Sequence, residues 1–189
     1  MKRLYLAFVL VTIWVLFLPA PIYAAHAPDS FAGVPWGTTQ EQVIKMMSER
    51  SWREAEEKDG KSFYGDFAGF PSIIYFDFTS NAMTGGTAQI EKSTNGYHLK
   101  TTFDAAYKLL SEKYGQTVIK IYPNQDRSST MPNYYEAEWN IVDDVSSDKY
   151  YIHLWCLDAL YLQDGTRLYV VAVAYTNESL VEKKKRDGY

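Results

Sequence analysis

The chain has 189 residues, with 19 basic against 23 acidic side chains, three histidines and a single cysteine. An acidic balance with one short basic run excludes the clustered cations that phosphate contacts need, so nucleic acid is not an expected partner. One cysteine excludes an intrachain disulfide, and a chain of this size buries enough apolar surface without one.

The N-terminus reads MKRLYLAFVLVTIWVLFLPAPIYAAHA. Lys2 and Arg3 form a basic start, Leu4 to Leu18 an apolar run, and Pro19, Pro21 and small alanines follow. That is the layout of a secretory signal peptide over residues 1–25, with cleavage between Ala24 and Ala27. The apolar run is about 15 residues, short of the roughly 20 that a spanning helix needs. The expectation is a periplasmic or secreted protein that meets the membrane only through this segment before cleavage. The alternative is a chain tethered by an uncleaved N-terminal segment. No cysteine follows the run, so lipid attachment is not expected. Cleavage leaves roughly 162 to 165 residues, with a single domain over 26–180 and a charged tail over 181–189. Without Lys2 and Arg3, 17 basic side chains face 23 acidic ones.

The stretch GVPWGTTQEQVIKMM, Gly33 to Met47, reads as the entry to a helix from about Gln40 to Arg50. Gly37 permits a sharp turn, Thr38 and Thr39 are hydroxyl caps with Glu41 and Gln42 three residues on, and Trp36 is placed to fold over the first turn. Val43, Met46 and Met47 then share one face. Strand patterns follow at Lys61 to Phe67 and Ser72 to Thr79, with Thr84-Gly85-Gly86-Thr87 as a turn and a weak strand over Thr87 to Glu91. Asn95-Gly96 reads as a second turn, with His98 in the loop after it.

A second amphipathic helix runs from Thr101 to Gly115 with a stripe of Phe103, Ala106, Tyr107, Leu110 and Tyr114, and Gly115 as its stop. Shifted by 63 residues the first helix falls on it: Thr38 on Thr101, Lys45 on Lys108, Met46-Met47 on Leu109-Leu110. This spacing raises a duplicated helix-then-strands unit, with halves at 33–97 and 98–176, against chance likeness of two capped helices. Val118 to Tyr122, Tyr134 to Ile141, Lys149 to Leu157 and Arg167 to Tyr175 are further strands, joined by the polar loop Pro123 to Asn133, the carboxylate-rich turn Asp143 to Asp148 and a hairpin turn at Asp164-Gly165. Lys183 to Arg186 read as a solvated, frayed end. The expected fold is α+β: an antiparallel sheet with two amphipathic helices on one face.

Signatures of nucleophilic, zinc-protease, P-loop and dinucleotide chemistry are absent from the sequence. His153 and Cys156 stand three apart on one strand and so point to opposite faces, which disfavours a Cys-His pair. Cys156 reads as a small buried hydrophobe. Asp143, Asp144 and Asp148 fit no calcium-loop spacing and read as a solvated turn. If the helices cover the aliphatic face, the other face carries Tyr75, Asp77, Tyr134, Glu136, Glu138, Tyr151, His153 and Trp155, together with Tyr169 and Tyr175. Such an aromatic and acidic surface suits a protein partner and also stacks on sugar rings. Cross-strand aromatic pairs also stabilise a sheet on their own account.

Gly33-Val34-Pro35-Trp36-Gly37-Thr38, opening an amphipathic helix after a signal peptide, resembles the start of small exported bacterial proteins of unassigned function. The order of helix and antiparallel strands over most of the mature chain resembles the β-lactamase-inhibitor-protein-like folds, which include small outer-membrane assembly lipoproteins. The resemblance implies a partner protein held on the concave sheet face or its rim. The chain departs from that pattern: it has no disulfide pair, no lipid-bearing cysteine, and one helix per unit in place of two. No functional residue is carried over. The expected function is therefore a non-enzymatic exported domain, without cofactor or metal, that binds an envelope protein through Tyr75, Asp77, Tyr134, Glu136, Glu138, Tyr151, His153 and Trp155. A carbohydrate or peptidoglycan fragment is the alternative ligand. A hydrolase using Glu136, Glu138, Asp77 or His153 is the remaining reading.

Overall fold

Thr39 starts the first helix, α1, which spans Gln40–Glu49. Its hydroxyl accepts the Gln42 amide at 3.4 Å, while the Gln42 side-chain oxygen accepts the Thr39 amide at 3.1 Å. Two amides that a first turn leaves orphaned are thereby satisfied. The computed structural model describes residues 26–55, 61–124, 131, 133–161, 164 and 166–187; the expected signal peptide, residues 1–25, lies outside them.

The rest of the Gly33–Met47 stretch is equally structural. Ser30–Phe31 (β1) and Val34–Pro35 (β2) form a tight hairpin whose turn residues, Ala32 and Gly33, both have positive φ, at 50° and 70°. Arg50 locks that turn, one guanidinium nitrogen donating to the Ala32 carbonyl at 2.7 Å and the other to the Gly33 carbonyl at 2.8 Å. Gly37 and Thr38 then exchange backbone hydrogen bonds with Met83, each at 2.8 Å. Trp36 has two partners outside α1. Its Nε1 donates to the Pro28 carbonyl at 2.6 Å and its ring leans on Tyr150, so it pins the N-terminal segment to the sheet.

The sheet comprises Arg53–Glu54 (β3), Ser62–Phe67 (β4), Phe70–Thr79 (β5), Ala82–Ser93 (β6), Ile119–Pro123 (β7), Asn133–Val142 (β8), Lys149–Tyr161 (β9) and Arg167–Asn177 (β10). Helix α2, Gly96–Tyr114, lies between β6 and β7, and α3, Glu178–Asp187, follows β10. All neighbouring strands are antiparallel, in the order β3-β4-β5-β6-β10-β9-β8-β7. Two meanders, each preceded by a helix, thus meet at the β6–β10 pair. The fold is α+β, as expected.

Helices α1 and α2 feed one core. Val43 and Met47 of α1 and Leu99, Phe103, Ala106 and Leu110 of α2 join Ile74, Phe76, Ala137, Ile152, Leu154, Cys156 and Val173 from one face of the sheet. Under the 63-residue shift, buried Val43 and Met47 coincide with buried Ala106 and Leu110, whereas the caps do not coincide. The second helix begins at Gly96, capped by Asn95, whose side chain accepts the Tyr97 amide at 3.1 Å. Asn95-Gly96 is therefore a helix start, His98 is helical, and the expected division between residues 97 and 98 falls inside α2. Among the described residues no helix is long and apolar enough to cross a membrane.

Three further expectations are corrected. Gly85 and Gly86 lie inside β6, and the turn is Ser80-Asn81, both at positive φ. The two glycines answer a packing demand: a Cβ on Gly86 would stand 2.2 Å from the Phe31 ring, and one on Gly85 2.9 Å from the Tyr175 carbonyl oxygen. Tyr169 and Tyr175 do not lie on the open face. They are 1% and 6% exposed and point into the core, Tyr175 against Phe31, Phe67 and Tyr114. Lys183 to Arg186 are not a frayed end but belong to α3. Asn177 accepts the Leu180 amide at 2.8 Å, Ser179 accepts the Lys149 amide at 2.9 Å, and Ser80 donates to the Lys184 carbonyl at 3.4 Å. The helix so runs across the end of the sheet from the start of β9 to the β5–β6 turn. At the β9–β10 connection Asp164 accepts the Thr166 amide at 2.9 Å; Gly165 and most of the Pro123–Asn133 loop lie outside the described residues.

A methyl group has no room at Gly86, so Gly86→Ala is expected to cost about 1–3 kcal/mol of overpacking. Urea unfolding should show this loss only partly relieved in a Phe31→Leu background, where the colliding ring is gone but the Tyr75 carbonyl oxygen, 2.7 Å from the added Cβ, remains.

Candidate functional site

The face of the sheet turned away from the core is built by register. Ile73, Tyr75 and Asp77 of β5 stand opposite Gln89, Thr87 and Gly85 of β6. Those in turn face Ala172, Ala174 and Thr176 of β10, and then Trp155, His153 and Tyr151 of β9. Glu136, Glu138 and Asn140 of β8 complete the rows, with Lys120 of β7 beside Glu136. Over these rows the two central strands carry Gly85, Thr87, Gln89, Ala172, Ala174 and Thr176 on this face, with Val170 opposite Leu157 and Lys92 one row further on. Small residues between tall flanks leave a trough, and Gly85 and Ala172 are buried at its floor.

Of the residues expected on this face, Glu136, Glu138, Tyr151, His153 and Trp155 come together. Tyr134 adjoins them through a cavity of about 420 Å³ that it lines with Tyr122, Glu136 and Leu157. Tyr75 and Asp77 share the face but not the cluster. Tyr75 is three strands from His153, or roughly 14 Å at the usual strand spacing. Lys120, which sequence reading passed over, belongs to the cluster. Its signal was the alternation of Lys120 and Tyr122 on one side of the weak strand pattern, but its partner across the loop could not be read from spacing.

The cluster is a chain of charge-assisted contacts. The Tyr151 hydroxyl donates to Glu138 Oε1 at 2.9 Å, and Lys120 Nζ donates to Glu138 Oε2. These bonds, that of Lys120 first, hold the Glu138 carboxyl below its ordinary range, so Glu138 is ionised and not poised to give a proton. The same pairing raises the Lys120 ammonium, and burial together with the Glu138 bond pushes Tyr151 up to about 12. His153 stacks obliquely between its strand neighbours, 4.9 Å from Trp155 and 5.9 Å from Tyr151, ring centre to ring centre. Its Nε2 lies 3.9 Å from Glu136 Oε2, is shut off from solvent and makes no hydrogen bond. Burial lowers the His153 pKa, outweighing the attraction of Glu136 and Glu138, so the ring is neutral near pH 7.

Two other titratable groups serve the fold. Cys156 is buried on the opposite face with Sγ 3.5 Å from Met131 Sδ, and burial pushes its thiol up to about 12, far from a nucleophile. Asp143 accepts the Val145 and Ser146 amides at 2.9 and 2.6 Å, which closes its own turn and holds its carboxyl below the ordinary range.

Neutral His153 contributes stability above the ordinary imidazole value of 6.5, and that contribution is lost as pH falls toward its depressed pKa. In an NMR titration its midpoint should lie below 6.5. Glu136→Gln should lower the midpoint further by removing an attracting carboxylate, and Lys120→Gln should raise it by removing a repelling ammonium. Opposite signs for the two variants distinguish this cluster from a histidine set by burial alone.

Compared with protein-family models, with curated proteins and with solved structures, the chain matches none.

Proposed function

We propose that this is an exported, non-enzymatic binding domain that holds an envelope protein in the trough of its open sheet face. The observation that carries the reading is the distribution of side-chain size. Gly85, Thr87, Ala172 and Ala174 form a low floor between Tyr75 on one flank and Tyr151, His153 and Trp155 on the other. An extended segment of a partner fits such a depression, with half-exposed aromatics supplying contact area at low entropic cost. Asp77, exposed at one end, and Glu136 favour basic groups on that segment. Partner capture on a sheet face is also what the resemblance to β-lactamase-inhibitor-protein-like folds implies. The basic start and apolar run of residues 1–18 support export.

One feature favours a second ligand class. The cavity between Tyr122, Tyr134, Glu136 and Leu157 offers aromatic faces and a carboxylate, the recognition elements of a sugar ring. A peptidoglycan fragment is accordingly the alternative ligand.

In-cell crosslinking and pull-down of the tagged protein should recover one partner with the wild type and lose it with Trp155→Ala. Truncating such an aromatic anchor costs roughly 2 kcal/mol of binding, or about 30-fold in affinity. Equal recovery by both proteins overturns the assignment of the face. Quenching of tryptophan fluorescence by muropeptides, with no protein captured, transfers it to the glycan. Sequencing the N-terminus of the periplasmic or secreted material should place the start between Ala25 and Pro28. Recovery of the intact chain in membranes would establish the tethered alternative.

A further inference from the structure

We propose that Glu136, Glu138 and His153 form a binding site for a divalent transition metal of the zinc type. One ligand atom from each of the three lies within 4.8 Å of the other two. A zinc ion bound at about 2.0–2.2 Å holds its ligands roughly 3.3 Å apart, so modest side-chain rotation closes the site. Strand geometry makes such rotation sufficient. Glu136 and Glu138 project from alternate positions of β8, His153 stands directly across from Glu138, and the backbone holding all three is the paired interior of the sheet.

The second observation comes from the imidazole. His153 Nε2 is closed to solvent, makes no hydrogen bond and points toward Glu136, while the ring as a whole is 24% exposed. A buried ring nitrogen without a partner is costly, and a metal ion satisfies it. Two carboxylates and one imidazole are a borderline oxygen and nitrogen set. Calcium and magnesium prefer all-oxygen shells, so the composition selects zinc or a neighbouring transition ion. Three protein ligands leave a fourth tetrahedral position for water or for a donor from a bound partner.

Lys120 is the built-in competitor. Its ammonium already occupies one oxygen of Glu138, while Tyr151 takes the other. A carboxylate offers about four lone-pair directions, so both bonds can persist with a metal on a remaining one. The ammonium nevertheless repels a dication, and Lys120, 45% exposed on the edge strand β7, is free to swing into solvent. The site therefore tightens when Lys120 is removed. A cluster whose only purpose is an ion pair has no reason to behave so. The proposal stands independently of whether the trough holds a protein.

The test uses the purified exported chain, stripped with a chelator and titrated with Zn²⁺ alone by calorimetry, with Co²⁺ absorption reporting nitrogen and oxygen ligation. The expected result is one Zn²⁺ per chain, weakened roughly tenfold or more by Glu136→Gln and by His153→Gln. Lys120→Gln should strengthen binding, and His98→Gln, on the exposed side of α2, should leave it unchanged. Circular dichroism checks folding. Should His153→Gln not fold, near-isosteric Glu136→Gln at a partly exposed position decides alone. Absence of stoichiometric binding, or binding that Glu136→Gln leaves intact, overturns the site.

Discussion

The pairing of β6 with β10 holds two four-stranded meanders in one sheet, and the demands of that seam shape the sequence around it. Gly86 sits on it because Phe31, 55 residues earlier in the chain, lies across β6 and leaves no room for a Cβ, and Gly85 because the Tyr175 carbonyl oxygen of β10 stands too close for one. Phe31 in turn touches Phe67, Phe76 and Tyr175, three rings from three strands on both sides of the seam. Aromatic contacts of this kind add about 0.5–1.5 kcal/mol each beyond the area they bury. The hairpin carrying Phe31 is held by the Arg50 guanidinium at the end of α1, so the helix entry, the hairpin and the seam form one connected unit. That is why the stretch from Gly33 to Met47 looks so specific while its residues are taken up by structure.

Local chemistry in the sequence located most elements. The Thr39–Gln42 box, the stripe from Phe103 to Tyr114 and the alternation in β5, β8 and β9 each rest on contacts within a few residues, and each is found where its pattern lies. The misreadings share a different cause. In β10 both faces are apolar, so alternation cannot say which face is inward. Size is a misleading guide there, because the tyrosines serve the core and the alanines face outward. Gly85-Gly86 has turn composition, yet Gly86 answers a distant ring and Gly85 the carbonyl oxygen of a neighbouring strand. The helix start at Asn95 was obscured by an Asn-Gly pair that equally fits a hairpin. The basic run in α3 has no strong apolar stripe; its position depends on Asn177, Ser179 and the β5–β6 turn rather than on its own composition.

The candidate site divides in the same way. That Glu136 and Glu138 share a side, and that Tyr151, His153 and Trp155 share another strand's side, follows from period two. That the two sets coincide depends on the β8–β9 register, in which Glu138 faces His153 and Glu136 faces Trp155. A shift of one residue in that pairing would place the acids over the core. Lys120 needed yet another register, across a loop whose length does not specify it, and so its bond to Glu138 had no local signature.

The two faces of the sheet spend their large side chains differently. On the core face, bulky residues sit on central and flanking strands alike, as close packing requires. On the open face the rows from Gly85 to Gln89 carry alanine, threonine, glutamine and glycine on the central strands, while rings and carboxylates stand on the flanks, Tyr75 and Asp77 on β5 and the larger set on β8 and β9. Stability alone gives no reason for that asymmetry, since tall β-branched or aromatic pairs over β6 and β10 would shield the seam better. The open face thus keeps its centre low and concentrates a carboxylate pair, an unsatisfied imidazole nitrogen and a lysine at one flank. The same residues that leave the seam thinly covered from outside give the trough its depth, and the charged flank, held by the bonds of Lys120 and Tyr151 to Glu138, gives it one fixed wall.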